Sequence, residues 1–191
     1  MYNAIDDPYC YPNTEILRNI PGLLDPQALA QFELVMTTQR ADEPLPSGRF
    51  SVRHYCAVHQ HLFQDVYSWA GKYRLVRISR GRSVFCYPEH IPDEMRGLFA
   101  SLRQQRLLAG VASAEFCKRA ASFLAALNAI HPFRDGNGRA QLTFLAALAD
   151  RAGHPLDFER LEPERFLQAM IASFHGDEAE LAGQLNILAG R

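Results

Sequence analysis

The run His131-Pro132-Phe133-Arg134-Asp135-Gly136-Asn137-Gly138-Arg139-Ala140 constrains this chain more than any other stretch. It is polar and glycine-rich, and apolar residues with helical spacing flank it on both sides. Upstream, Phe116, Ala120, Phe123, Leu124, Leu127 and Ile130 recur at steps of three and four, behind a candidate N-cap at Ser113. Downstream, Leu142, Leu145, Leu148, Ala149 and Ala152 do the same until Gly153 and Pro155 supply stop signals. The spacing predicts two helices joined by an elbow, with the glycines at the start of the second.

Those residue types in that order carry chemistry. Gly136 and Gly138 let the backbone turn tightly and point N–H groups outward, and a helix N-terminus favours anions. Arg139 adds a guanidinium fork suited to phosphate oxygens. Asp135 is a hard oxygen ligand of the kind Mg²⁺ takes beside substrate phosphates. His131, four residues earlier, is a candidate base whose ordinary pKa is about 6.5. A lone His-Pro is usually a helix end, and a lone Asp-Gly or Asn-Gly a turn. The unbroken run is far more specific, and it fits phosphoryl or nucleotidyl transfer.

The run closely resembles the signature of the Fic (filamentation induced by cyclic AMP) family, His-x-Phe-x-[Asp/Glu]-Gly-Asn-Gly-Arg. Every defined position is matched. Many members carry a second arginine three residues after the first, where this chain has Leu142. The segment His59 to Arg74, containing Trp69-Ala70-Gly71-Lys72-Tyr73-Arg74, is similar to a second block of the family. The opening, from Asp7-Pro8-Tyr9 through Arg18-Asn19 to Glu33 and Arg40, is similar to short bacterial members. The likeness spans roughly residues 5 to 188.

A chain of 191 residues fits one domain with a substantial core. Its net charge of −1 gives no electrostatic case for nucleic acid or an anionic membrane. Cys10, Cys56, Cys86 and Cys117 are scattered without a Cys-x-x-Cys pair, and read as reduced thiols of a cytoplasmic protein. There is no signal-peptide pattern and no apolar run of the ~20 residues that span a bilayer.

In chain order, residues 1–24 read as an irregular lead-in with a short helical piece around Thr14 to Arg18. Asp25-Pro26 is an N-cap and first-turn pair opening a helix through Leu29, Phe32 and Met36. An amphipathic helix follows from about Ser51 to Tyr67. It carries His54, His59 and His61, whose spacing does not suit metal ligation from one helix face. Residues 73–87 alternate and then turn, which predicts a β-hairpin made basic by Arg74, Arg77, Arg80 and Arg82. Helices starting at Pro92 and Pro163, and one capped by Asp177, complete the chain, and their apolar stripes read as core. The expected fold is all-α, a helical bundle with one β-hairpin.

The resemblance implies an active-site loop at 131–140 and a flap at 73–87 that registers a target's side chain, with Ile78 and Phe85 as its docking residues. It implies protein adenylyltransferase activity, in which AMP passes from ATP to a Ser, Thr or Tyr hydroxyl of a target protein. His131 is then the base and Asp135 the Mg²⁺ ligand, while Gly136, Asn137, Gly138 and Arg139 cradle the phosphates. Phe133 anchors the loop in the core. Relatives that transfer UMP, phosphocholine or phosphate, and an inactive nucleotide-binding module, are the alternatives. No Ser or Thr has Glu four residues on, so the inhibitory motif [Ser/Thr]-x-x-x-Glu is absent. A small antitoxin supplying that helix in trans is the corresponding expectation.

Overall fold

The structure, a computed structural model, describes residues 7–81 and 83–190. Arg82 of the basic hairpin and the first six residues of the lead-in lie outside the described residues. The described residues form seven α-helices, three short 3-10 helices and one two-stranded sheet. The α-helices are α1 (Pro26–Ala41), α2 (Val52–Phe63), α3 (Ile91–Gln104), α4 (Ser113–Ile130), α5 (Asn137–Ala152), α6 (Pro163–Phe174) and α7 (Ala179–Leu188). The strands are β1 (Ser79–Arg80) and β2 (Ser83–Val84). The expected helical bundle with one hairpin is therefore observed.

Helix α4 is the centre of the bundle. Phe116, Ala120, Phe123, Leu124, Leu127 and Ile130 are all buried on it, and it packs against α3, α5, α6 and α7. Helix α5 buries Ala140, Phe144, Leu145, Leu148 and Ala149, and it also meets α2, which in turn packs on α1. The elbow between α4 and α5 is thus held by two helices with well-buried inner faces. No helix among the described residues is long and apolar enough to cross a membrane.

Local chemistry sets several boundaries. Asp25 accepts from the Ala28 N–H at 2.7 Å and caps α1, and Ser51 accepts from the His54 N–H and caps α2. Helix α2 stops at Phe63, four residues short of the expected Tyr67. Turns then carry the chain to Gly71, whose N–H donates to His59 Nδ1 at 2.9 Å. Ser113 is the first helical residue of α4 and not its cap, a position taken by Ala112 without any side-chain bond.

Two further expectations fail locally. Residues 14–18 are not helical: Cys10 and Leu17 form an antiparallel bridge, and the Tyr11 N–H donates to the Ile16 carbonyl at 2.9 Å. A turn centred on Asn13, at φ 59°, reverses the chain there instead. The hairpin is also much shorter than 73–87, its ladder comprising only Ser79↔Val84 and Arg80↔Ser83. Its flanks leave the ladder because Arg74, Val76 and Phe85 turn into the protein and are buried there.

Candidate active site

His131 ends α4 in the left-handed conformation, φ 48° and ψ 63°, with its N–H on the Leu127 carbonyl at 3.0 Å. That conformation usually belongs to glycine, and costs a residue with a Cβ roughly 1–2 kcal/mol. Surrounding contacts hold it. The His131 ring lies under Phe85, centroids 3.8 Å apart and planes at 16°, and Phe85 meets Phe174 edge-on. His131 Nδ1 lies 3.2 Å from the Asn128 carbonyl oxygen. A carbonyl only accepts, so Nδ1 carries the proton and Nε2 keeps its lone pair. Burial pushes the imidazole pKa down to about 4, with the charges of Arg74 and Arg80 adding to the shift. His131 is therefore a neutral base at physiological pH.

Phe85, expected as a docking residue, is buried and stacked on the His131 ring, and it lines the cavity from the hairpin side. Ile78 is half-buried, and its carbonyl accepts from the Phe85 N–H at 3.3 Å. Val84 is the exposed apolar side chain within the two strands, and Leu75 and Tyr87 are exposed on the flanks.

The loop after His131 is tied from within and from behind. The Phe133 ring is fully buried between Tyr55 and His59. Asn137 is also buried, its amide accepting from the Phe133 N–H at 3.0 Å and donating to the Phe133 carbonyl at 2.9 Å. What Asn137 offers an anion is therefore its backbone N–H, not its side chain. His59 completes the support. Its Nδ1 accepts from Gly71, so Nε2–H donates to the Asp135 carbonyl at 2.9 Å. Of the three histidines on α2, His59 alone supports this loop: His54 Nε2 lies 2.7 Å from the Pro46 carbonyl oxygen and His61 Nε2 2.8 Å from that of Arg40. No group of three His, Cys, Asp or Glu side chains among the described residues could hold a metal.

Burial also drives the His59 pKa down to about 4 from its ordinary 6.5. Between those two values the unfolded chain binds more protons than the folded one, so folding free energy grows as pH rises through the window. We expect stability to be flat above pH 7 and to fall as pH drops from about 6.5 toward 4, with His59 contributing on the order of 3 kcal/mol at most. Urea unfolding at stepped pH checks this. Stability that holds constant down to pH 4.5 would contradict the buried neutral imidazole.

Gly136, at φ 77°, sits before the first turn of α5. The N–H groups of residues 137–139 have no earlier turn to donate to, which makes an anion site. The Gly136 N–H is already taken by its neighbour Asp135, 2.6 Å from Oδ1. Asp135 itself is exposed, which leaves its second oxygen open to a cation. Arg139 is not a free cation. It pairs with Glu33 of α1, donates to Thr37 Oγ1 at 3.2 Å and lies over the Phe63 ring at 4.6 Å. Tyr67 donates a short hydrogen bond to the same Glu33. Glu33 stands in the opening block of the sequence, and no local pattern links it to residue 139.

His131 and the residues from Asp135 to Arg139 share one cavity of about 750 Å³. The loop from His131 to Arg139 lines one side, and Arg80, Gly81, Ser83 and Phe85 of the hairpin region another. The far wall is α6. Phe166 and Met170 are buried, but Leu167 and Ile171 are exposed beside them and line the opening. The stripe expected to be core is thus core on one edge and cavity wall on the other, since a helix with an apolar arc wider than its neighbour covers leaves part uncovered. Leu142, one turn into α5, is half-buried and also lines this space. The arrangement offers a neutral base, backbone donors for an anion and an open carboxylate around a pocket with an apolar wall.

A helical bundle with a glycine-rich anion loop between a histidine and an arginine, under a β-hairpin, defines a group-transfer enzyme of the kind that handles phosphates. The sequence profile of the Fic/DOC family matches residues 49–149, and the chain belongs to that family. It is 52% identical over 185 residues to the probable protein adenylyltransferase y4lH of Sinorhizobium fredii, covering 96% of each chain. Against the probable protein adenylyltransferase Fic of Salmonella typhimurium it is 37% identical over 179 residues, covering 92% of this chain and 88% of the other. Among solved structures, the BepC effector protein of Bartonella tribocorum with bound AMPPNP superposes with a TM-score of 0.87 at 28% identity. The match covers 97% of this chain and 98% of that one.

Proposed function

We propose that this protein transfers AMP from ATP to a hydroxyl side chain of a target protein. The observation that carries the reading is the neutral His131 Nε2 in the same cavity as the α5 N-terminus. The target hydroxyl loses its proton to Nε2 as its oxygen bonds to the α-phosphorus. The bond from that phosphorus to the bridging oxygen breaks, and pyrophosphate leaves. The charge growing on the departing group would be stabilised by the backbone N–H groups of Asn137 and Gly138, and by Arg139, whose guanidinium has donors beyond those it gives Glu33 and Thr37. The apolar arc of Leu167 and Ile171 suits the base of the nucleotide.

Asp135 would hold Mg²⁺ through its open oxygen, the remaining ligands coming from phosphate and water, which fits a site with one exposed carboxylate. Bound there, the ion would neutralise phosphate charge. The outer edge of the hairpin, beside Ile78 and Val84, is where an extended target segment would add its backbone. The test is to incubate the protein with labelled ATP, GTP, CTP and UTP in bacterial lysate with magnesium. Labelled bands from ATP that vanish with His131→Ala are expected; label from another nucleotide alone would overturn the assignment.

Leu142 makes a separate prediction. Position 142 shares a helix face with Arg139, and leucine there gives a terminal phosphate no donor. The wild type is expected to bind ATP and ADP with similar affinity. Leu142→Arg should tighten ATP relative to ADP by about ten- to a hundredfold, the value of one hydrogen bond to a charged group. A glutamate delivered by an antitoxin helix would likewise restrain the wild type weakly and the variant strongly. Calorimetry on both proteins decides it. A wild type that already prefers ATP a hundredfold would mean another cation fills the role, Arg80 of the same cavity being the one placed to do so.

A further inference from the structure

Arg74 is the largest fully buried side chain of the protein, 1% exposed, and no carboxylate pairs with it among the described residues. Its partners are all main-chain carbonyls. Nε donates to His131 at 2.8 Å, Nη1 to Val76 at 2.7 Å, and Nη2 to Cys86 at 2.6 Å and Ile130 at 3.2 Å. The Arg74 N–H donates to the Pro132 carbonyl at 2.9 Å.

The location explains how a buried cation survives without an acid. The last carbonyls of a helix have no intrahelical donors and carry the negative end of its dipole. Ile130 and His131 supply two such carbonyls at the end of α4, and Arg74 caps both. The same guanidinium reaches Val76 and Cys86, the two legs by which the hairpin leaves the body of the protein. One planar fork therefore fastens both legs to the carbonyls of Ile130 and His131, and the Arg74 N–H adds that of Pro132. Phe85, next to Cys86, stacks on the His131 ring, and the Cys86 N–H donates to the Ala129 carbonyl at 3.1 Å. The histidine is held by its carbonyl and by its ring, both through residues 74 to 86.

We propose that Arg74 is a positioning residue for His131, fixing its left-handed backbone and ring orientation and tying both to the base of the hairpin. This deepens the transfer reading and rests on His131 as the base. Lysine keeps the charge but has no fork to span four carbonyls in different directions. Displacement of a reacting group by about an ångström costs on the order of 10²-fold in rate. For Arg74→Lys we therefore expect labelling at saturating ATP to fall about a hundredfold, with AMPPNP affinity within threefold of wild type.

Three measurements separate this from general damage. In the His131→Ala background, Arg74→Lys should cause no further loss, because its effect runs through the imidazole. Nitrogen-15 histidine spectra should show His131 with Nδ1 protonated and Nε2 bare in the wild type, and a tautomer mixture in Arg74→Lys. Arg74→Gln, which keeps a planar amide donor, should recover part of the rate. An unchanged tautomer, or losses that multiply with His131→Ala, would overturn the proposal. So would loss of a cooperative melt in both Arg74 variants, since the residue would then hold the fold and not the histidine. If His131→Ala labels as well as wild type, the transfer reading fails by itself, and the spectra still judge Arg74.

Discussion

Replacing His131 by alanine is expected to reduce AMP transfer by about 10²–10⁴-fold, the usual cost of losing a positioned base. Nucleotide binding should hardly change. The anion site is made by N–H groups at the start of α5, and its loop is locked by Asn137, Phe133 and His59, none of which needs the imidazole. The backbone also tolerates the change, because alanine at φ 48° bears the same left-handed cost that histidine already bears. The measurement is paired: labelling rate from ATP, and AMPPNP affinity by calorimetry. A variant keeping more than a tenth of the wild-type rate would remove His131 as the base. One that loses AMPPNP affinity in proportion to rate would make it a binding residue.

How much of this could be read from the chain alone depends on the range of the interaction. Helical periodicity is local, so α4 and α5 and their elbow were legible from residues within a few positions of one another, while the anchoring of Phe133 came only from the family resemblance. The glycine-rich turn before α5 is local too and was legible as well. Partnerships across long separations were not. Glu33 lies 106 residues from Arg139, and nothing in either neighbourhood marks the pair. Arg74 looked like one of four surface arginines, because an alternating apolar and basic pattern predicts a strand with its charges in water. Its burial follows from the orphan carbonyls at the end of α4, which lie 56 and 57 residues away. The stack of Phe85 on His131 was hidden for the same reason, since tertiary packing brings the two rings together.

The two motif glycines look equivalent in sequence, yet replacing each by alanine should give unlike results. Gly136 needs its missing side chain. At φ 77° a Cβ would stand 2.3 Å from Cζ and 2.5 Å from Cε2 of Phe63. Phe63 cannot retreat, being fully buried, stacked on His59 at 4.7 Å and lying beneath the Arg139 guanidinium. The loop must move instead, on top of the roughly 1–2 kcal/mol that alanine bears in a left-handed conformation. A shift of about an ångström there displaces the α5 donors together with Arg139, so transfer should fall by 10²-fold or more. Unlike His131→Ala, Gly136→Ala should weaken AMPPNP binding and lower the melting temperature together. At Gly138 a Cβ meets nothing within 4 Å, and φ is not in the left-handed range. Gly138→Ala should therefore keep or raise the melting temperature, alanine being better than glycine within a helix by roughly 0.5–1 kcal/mol. Any loss there should fall on nucleotide affinity, through crowding of the bound phosphates. Thermal melts of the two variants side by side are the deciding observation. A Gly136→Ala protein as stable as wild type would show that Phe63 yields, and that the tight seat beneath Arg139 is not what fixes the loop.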